Sequence, residues 1–259
     1  IERLALAAKQ VGDERDFKAI PVLGPSEVVP AISAFNKMQS NLSTFINDRS
    51  KMLAAISHDL RTPITSLRLR LEFIEQGEDQ QRMLDTINQM EKMLKATLDF
   101  AKEDAQKEDK QETEIISLLS TICDNYGDRG IDIQLKSINK LIFRLWPIAF
   151  RRVIENIVNN SIAYGQDKQG EVHITMEAFL DDEKLFVSLS DTGKGIDKSL
   201  FSEVIKPFVR LDKARDTQDS SVGLGLAISD SIVKAHAGKM TLSNCPAGGF
   251  KVTICLPKS

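Results

Sequence analysis

The stretch Ser57-His58-Asp59-Leu60-Arg61-Thr62-Pro63 sets a histidine, an acid and a hydroxyl at helical spacing, directly before a helix-bending proline. His58 and Thr62 are four residues apart and share one helix face. Asp59 adjoins the imidazole, where it can orient the ring or accept its proton. Upstream, the apolar positions run Val28, Ala31, Phe35, Met38, Leu42, Phe45, Met52 and Ile56, with Arg49 in the same seam. That is the 3-4 alternation of a coiled coil. Downstream the seam continues through Leu60, Ile64, Leu67, Leu71 and Ile74. The step from 52 to 56 to 60 is four followed by four, a stutter that locally unwinds a coiled coil. Pro63 offers no N–H to the carbonyl of Asp59, so a bend is expected there too. His58 lies about 200° round the helix from Leu60 and should face solvent.

Gly77-Glu78-Asp79 breaks this pattern, and a second helix follows with Met83, Ile87, Met90, Leu94, Leu98 and Ala101 at the same period. Two antiparallel helices joined by a short turn make a hairpin. One hairpin cannot bury its seam and two make a four-helix bundle, which predicts a homodimer. Ahead of the long helix, residues 1–17 read as a helix with Leu4, Ala8 and Val11 on one stripe, followed by a loop carrying Pro21, Gly24 and Pro25. Residues 102–112 form a charged run, read as a solvated helix end and linker. Beyond it the texture changes. Strand-like runs occur at 131–135, 141–145, 172–179, 185–189, 239–243 and 251–256, with helical patterns near 117–126, 147–163 and 224–236. Mixed strands and helices over this length predict an α/β sandwich.

At 259 residues, 42% hydrophobic and 27% charged, the chain has the composition of roughly two folded domains. A net charge of −3 provides no electrostatic footprint for nucleic acid. Cys123, Cys245 and Cys255 are odd in number and widely spaced in apolar surroundings, which predicts buried, reduced thiols. His173, in a strand, and His236, in a helix, lack an acid-and-hydroxyl setting and are expected to be structural; three scattered histidines do not make a zinc site. No apolar run approaches the roughly 18 residues of a membrane span, and none of these residues is expected to serve as a signal peptide. The chain begins at Ile1 inside a helical pattern, so it is expected to be cut from something longer.

A second constellation has the parts of a nucleotide site. Asn156 and Asn160, at i and i+4, aim two amides the same way, and a few oxygen ligands suit a Mg2+ held mainly by phosphates and water. Asp191, at the end of a strand, can accept from an adenine amino group. Gly193 and Gly195 let backbone approach a planar base. Gly223-Leu224-Gly225 opens a helix whose leading N–H groups can meet phosphate. The polar segment from Val209 to Val222 suits a mobile lid, with Arg210, Lys213 and Arg215 available for phosphates. No Walker loop and no Gly-x-Ser-x-Gly elbow occur.

In this order and spacing the chain resembles the two-component sensor histidine kinases of the osmosensor-like class. Residues 57–63 look like their phosphoacceptor box. Glu155-Asn156-Ile157-Val158-Asn159-Asn160-Ser161-Ile162-Ala163-Tyr164-Gly165 is similar to the asparagine box. Asp191-Thr192-Gly193-Lys194-Gly195-Ile196 resembles the first glycine box, and Phe201 with Lys206-Pro207-Phe208-Val209-Arg210 the phenylalanine box. Gly223-Leu224-Gly225-Leu226-Ala227-Ile228 resembles the second glycine box, and residues 1–52 most of a HAMP linker.

The resemblance implies a HAMP-like linker over 1–48, a dimerisation and histidine-phosphotransfer domain over 49–108, and a Bergerat (GHKL) ATP-binding domain over 109–259. It implies ATP and Mg2+, with Asn160 as the Mg2+ ligand, Asp191 as the adenine contact and Tyr164 lining the pocket. His58 would attack the γ-phosphate and pass the phosphoryl group to an aspartate on a response regulator receiver domain. Asp59-x-x-Thr62 resembles the pattern of bifunctional members, in which Thr62 positions water to dephosphorylate the regulator. The expected setting is the cytoplasmic portion of a bacterial inner-membrane protein, anchored by segments upstream of Ile1. A phosphatase-dominant member or a catalytically degenerate dimeric scaffold is the alternative reading. One departure is visible: Ser221-Val222 precede Gly223 where the family often has Gly-x, which bears on lid geometry.

Overall fold

The computed structural model describes residues 19–23, 25, 28–74, 77–102, 108–137, 139–167, 169–211, 222–246 and 248–258. The chain divides into two compact units, Ile1–Gln106 and Lys107–Ser259.

In the first unit, helix α1 (Val29–Leu71) begins with Pro30 in its first turn, where a missing N–H costs nothing. It continues as α-helix through the stutter and through Pro63. Arg68 and Arg70 in its last turn complement the negative end of the helix dipole. Helix α2 (Glu78–Lys102) opens on Glu78 and Asp79, acids favoured at a helix N-terminus. These two residues therefore start the second helix instead of breaking the pattern. The Gln80 side chain reaches back and donates to the Leu71 carbonyl at 2.7 Å, which also accepts from the Ile74 N–H at 3.3 Å, closing the hairpin. Ile64, Leu71 and Ile87 are buried between the helices, with Leu84 and Leu94 packed against them. The other half of the seam is not covered: Leu60, Leu67 and Ile74 are 45%, 49% and 48% exposed, and Met83 and Met90 of α2 are exposed as well. Near the start of α1, the Asn36 amide accepts from the Ile20 N–H at 3.0 Å and donates to the Ile20 carbonyl at 2.9 Å. The helix predicted over 1–17 lies outside the described residues, as do the side chains of Arg49, Leu98 and Ala101.

The second unit is an α/β sandwich. Strand β1 (Gln111–Glu114) pairs antiparallel with β3 (Ile142–Leu145) as a separate ribbon. The main sheet holds β2 (Asp132–Leu135), β4 (His173–Asp181), β5 (Lys184–Asp191), β6 (Lys239–Asn244) and β7 (Phe250–Leu256), in the order β2-β4-β5-β7-β6. β2 runs parallel to β4 and the other neighbours are antiparallel. One face is alternately buried, as at Phe250, Val252, Ile254 and Leu256 of β7. Helices α3 (Ile115–Gly127), α4 (Pro147–Tyr164) and α6 (Gly225–Ala235) cover that face. A short α5 (Phe201–Val204) follows a 3-10 turn. The six strand-like runs of the sequence are all strands. β1 is the exception to the charged-linker reading: Gln111 and Glu112 belong to a strand. Its last residue, Glu114, caps α3 from Ile116 and Ser117 and also accepts from Leu141 at 2.9 Å. The Ser117 hydroxyl and these backbone donors hold the Glu114 carboxyl down to about 2.

The three thiols are half-buried and free, not fully buried as expected. Burial pushes the Cys123 thiol up. His173 is bonded to Asp132 at 2.7 Å, tying β4 to β2. His236 is buried at the C-terminus of α6, where its Nδ1 donates to the Ile232 carbonyl at 2.8 Å and its Nε2 accepts from the Trp146 N–H at 3.2 Å. One donor and one acceptor fix the neutral tautomer. Burial pushes its pKa down from 6.5 to about 4. Below 6.5 the unfolded chain takes up a proton that the folded state refuses, so stability falls as pH drops from 6.5 through about 4. The His236→Gln variant should lose that share of the acid sensitivity; urea midpoints measured at pH 7 and pH 4.5 should fall less for it than for the parent.

Candidate active site

α4 is the spine of the site. Pro147 starts it without losing a hydrogen bond, and Asn156, Asn160 and Tyr164 recur every four residues along it. At Asn156 the helix meets the start of α6: a Cβ on Gly225 would lie 3.7 Å from the Asn156 carbonyl oxygen and 3.8 Å from its Cβ. The Nδ2 of Asn156 is buried there without a hydrogen-bond partner. An unpaired buried amide is costly, and the natural remedy is a polar ligand. Leu224, which caps α6, contributes no side-chain hydrogen bond, and the first turn holds no acid. The leading N–H groups of α6 therefore have no side-chain cap competing with an anion.

Nine residues further, α4 ends at Gly165, against the carboxylate at the end of β5. A Cβ on Gly165 would meet the Ser161 carbonyl oxygen at 2.5 Å and the Asp191 Cγ at 2.7 Å. Gly193 approaches just as closely: its Cβ would stand 2.8 Å from Gly165 Cα. Asp191 is 6% exposed. Its Oδ1 accepts from the Gly193 N–H at 3.0 Å and from the Phe250 N–H at 2.9 Å. Its second oxygen retains acceptor capacity. The structure thus gathers Asp191, Gly193 and Tyr164 at one end of α4, and Asn156, Leu224 and Gly225 towards the other, with Asn160 between.

The segment between the phenylalanine and glycine boxes leaves and returns at one point. The Phe208 N–H donates to the Gly223 carbonyl at 2.9 Å, and Gly223 adopts φ +75 with Val209 pressed against it. Arg210 is exposed at its start; Lys213, Arg215 and Ser221 lie outside the described residues. In the first unit, His58 Nδ1 faces Asp59 Oδ1 at 3.4 Å, and the two side chains are 79% and 83% exposed. Thr62, one turn on, is exposed as well.

Several contributors escaped the sequence reading. Gly249 and Phe250, with Gly165 of the asparagine box, shape the Asp191 pocket, and Asn244 packs on Gly195. Glu108 accepts from the N–H groups of Ile148 and Ala149 at 2.7 and 3.0 Å, capping α4. The Gly248-Gly249 pair before an apolar run was the one visible signal among them.

A family described as the His Kinase A (phospho-acceptor) domain matches residues 48–106. A second, the histidine kinase-, DNA gyrase B-, and HSP90-like ATPases, matches residues 147–259. The sensor histidine kinase GtrS of Pseudomonas aeruginosa is 29% identical over 259 residues, covering 100% of this chain and 52% of GtrS. The sensor histidine kinase CpxA of Escherichia coli is 27% identical over 244 residues, covering 90% of this chain and 52% of CpxA. The chain spans about half the length of these curated relatives. Among solved structures, full-length ShkA, in complex with AMPPNP, aligns with a TM-score of 0.61 at 20% identity, over 80% of this chain and 45% of ShkA, a likeness of fold.

The close approach at Gly165 has a measurable consequence. Gly165→Ala should cost about 1–3 kcal/mol by overpacking against Asp191, read as a lower urea midpoint. Gly127→Ala, where an added Cβ meets nothing within 4 Å, is the control.

Proposed function

Because the chain belongs to the two-component sensor histidine kinases, we propose that it transfers the γ-phosphoryl group of ATP to His58, and from there to an aspartate on a response regulator receiver domain. The observation that carries this reading is the unpaired, buried Nδ2 of Asn156 beside the uncapped start of α6. It lies nine residues along α4 from Gly165 at the Asp191 pocket, about 13.5 Å at 1.5 Å per residue. That span matches an extended nucleoside triphosphate. The adenine amine would donate to the free oxygen of Asp191, with Gly193 and Gly195 allowing the backbone to lie near the base and Tyr164 lining its edge. Asn156 would donate to a phosphate oxygen, and Gly223, Leu224 and Gly225 would present α6 to the polyphosphate. Arg210 and Lys213 would add positive charge from the lid. The amide oxygen of Asn160 would hold Mg2+, a hard ion that keeps most of its ligands as phosphate and water and neutralises phosphate charge.

His58 has the access that a nucleophile needs. With Nδ1–H directed at Asp59, the lone pair resides on Nε2. Nε2 attacks in line, the N–P bond forms as the bond to the β-phosphate oxygen breaks, and ADP leaves with the electron pair. Asp59 then stabilises the charge on the phosphorylated ring or takes the Nδ1 proton. Thr62, exposed on the same helix face as His58, supports a second activity: its hydroxyl would orient water for dephosphorylation of the regulator.

The uncovered stripe of Leu60, Leu67 and Ile74, spaced by seven, together with Met83 and Met90, supports homodimerisation through a four-helix bundle. Residues 1–48 would serve as a HAMP-like linker to a membrane-anchored sensor upstream, leaving this portion in the bacterial cytoplasm. No helix among the described residues is long and apolar enough to cross a membrane.

Incubation with γ-labelled ATP and Mg2+ should label the parent with acid-labile, base-stable phosphate and leave His58→Ala and Asn160→Ala unlabelled; label on His58→Ala would refute the assignment. Sedimentation should show a dimer, and Leu67→Glu should shift it towards monomer.

A further inference from the structure

The loop that leaves β5 with Gly193, Lys194, Gly195 and Ile196 runs without a strand partner before the 3-10 turn at Lys198–Leu200. A backbone segment that must lie flat beside a base needs fixed anchors at both ends. The upstream anchor is Asp191, through the Gly193 N–H. At the downstream end, Asn244 Oδ1 accepts from the Ile196 N–H at 3.0 Å and Asn244 Nδ2 donates to the Ile196 carbonyl at 2.7 Å. One side chain thus reads both polar groups of one residue, in the manner of a strand pair. Gly195, at φ +70, lies directly on this amide: an added Cβ would stand 2.8 Å from Asn244 Oδ1 and 3.2 Å from the Gly249 carbonyl oxygen.

Asn244 is itself rigidly placed. It is the last residue of β6 and sits opposite Phe250 in the ladder. Between them the turn is closed by the Cys245 N–H donating to Gly249 at 2.9 Å and the Gly248 N–H donating to Cys245 at 3.0 Å. Phe250 holds the Asp191 carboxylate and Asn244 holds Ile196, so the β6–β7 turn grips the glycine loop at both ends.

We infer that Asn244 is a positioning residue for nucleotide binding, fixing the glycine loop through the backbone of Ile196. This rests on the reading of the Asp191 pocket as the adenine end of an ATP site. The geometry admits no close substitute. Aspartate keeps the acceptor but turns a second, negatively charged oxygen towards the Ile196 carbonyl. Alanine leaves both Ile196 groups without their partner.

The test uses the full chain and a non-hydrolysable ATP analogue with Mg2+ in calorimetric titration, alongside melting temperatures. Asn244→Ala should raise Kd about tenfold, or 1.4 kcal/mol, while autophosphorylation at saturating ATP stays close to the parent rate. Asn244→Asp should bind no better than Asn244→Ala. Gly195→Ala and Asn244→Ala should be non-additive in Kd, because both disturb the same contact. An unchanged Kd with a lowered melting temperature, or strictly additive losses, would overturn the inference and leave Asn244 a purely structural residue. Asp191→Asn separates the two levels: if it binds the analogue as the parent does, the site reading fails, and the role given to Asn244 fails with it.

Discussion

A buried carboxylate has to be paired, and most of the site's backbone geometry follows from how Asp191 meets that requirement. One of its oxygens takes two backbone N–H groups, from Gly193 on its own chain exit and from Phe250 at the entry to β7. Both donors must come within 3.0 Å of one atom, so the two backbones must crowd the side chain. Gly165 closes in from α4, Gly193 from the loop and Gly249 from the turn, and at each a Cβ would collide with backbone or with Asp191 itself. Three separate stretches of sequence are thereby held to glycine around Asp191, Gly165 by its side chain and Gly193 and Gly249 by the backbone crowded about it. The second oxygen is left as the acceptor that the pocket presents.

The parts of the site that the sequence made legible are those whose geometry is local. Asn156 and Asn160 share a face because a helix repeats near four residues, and Gly223 to Gly225 open a helix wherever that helix lies. The strands were legible because one buried face imposes alternation, as in β7. What could not be read is set by distant pairing. Asn244 acts on Ile196, 48 residues earlier in the chain, and Phe250 acts on Asp191 across 59. β1 was hidden for a different reason. Gln111-Glu112-Thr113-Glu114 has no apolar face, because its strand pairs only with β3 in a ribbon outside the main sheet. Its glutamate also caps a helix, so its charge belongs to the fold although the composition reads as linker.

The exposed seam of the first unit and the buried core of the second are two outcomes of one patterning rule. In the second unit the sheet and its helices share one chain, and the apolar positions close on each other. In the first, a two-helix hairpin buries Ile64, Leu71 and Ile87 but has no third layer for Leu60, Leu67 and Ile74. A heptad stripe of this kind is stable in water only when a second surface of the same period covers it. The face opposite the seam then stays open, and there His58, Asp59 and Thr62 stand in solvent.

The entry of the chain into the second unit bears on both helices of the proposed ATP site. Glu108 caps the N-terminus of α4, and Lys110 lies over the Trp146 ring at 5.1 Å. The Trp146 N–H in turn donates to His236 at the end of α6, and the two rings meet edge to face at 4.2 Å. The connector is therefore fastened to the ends of α4 and α6 that lie away from the Asn156–Gly225 contact. A displacement of Glu108 removes two acceptors from the start of α4, and a displacement of Lys110 uncovers the ring that shields the neutral imidazole. The residues that would hold nucleotide and the residues that receive the connector are thus opposite ends of the same two elements.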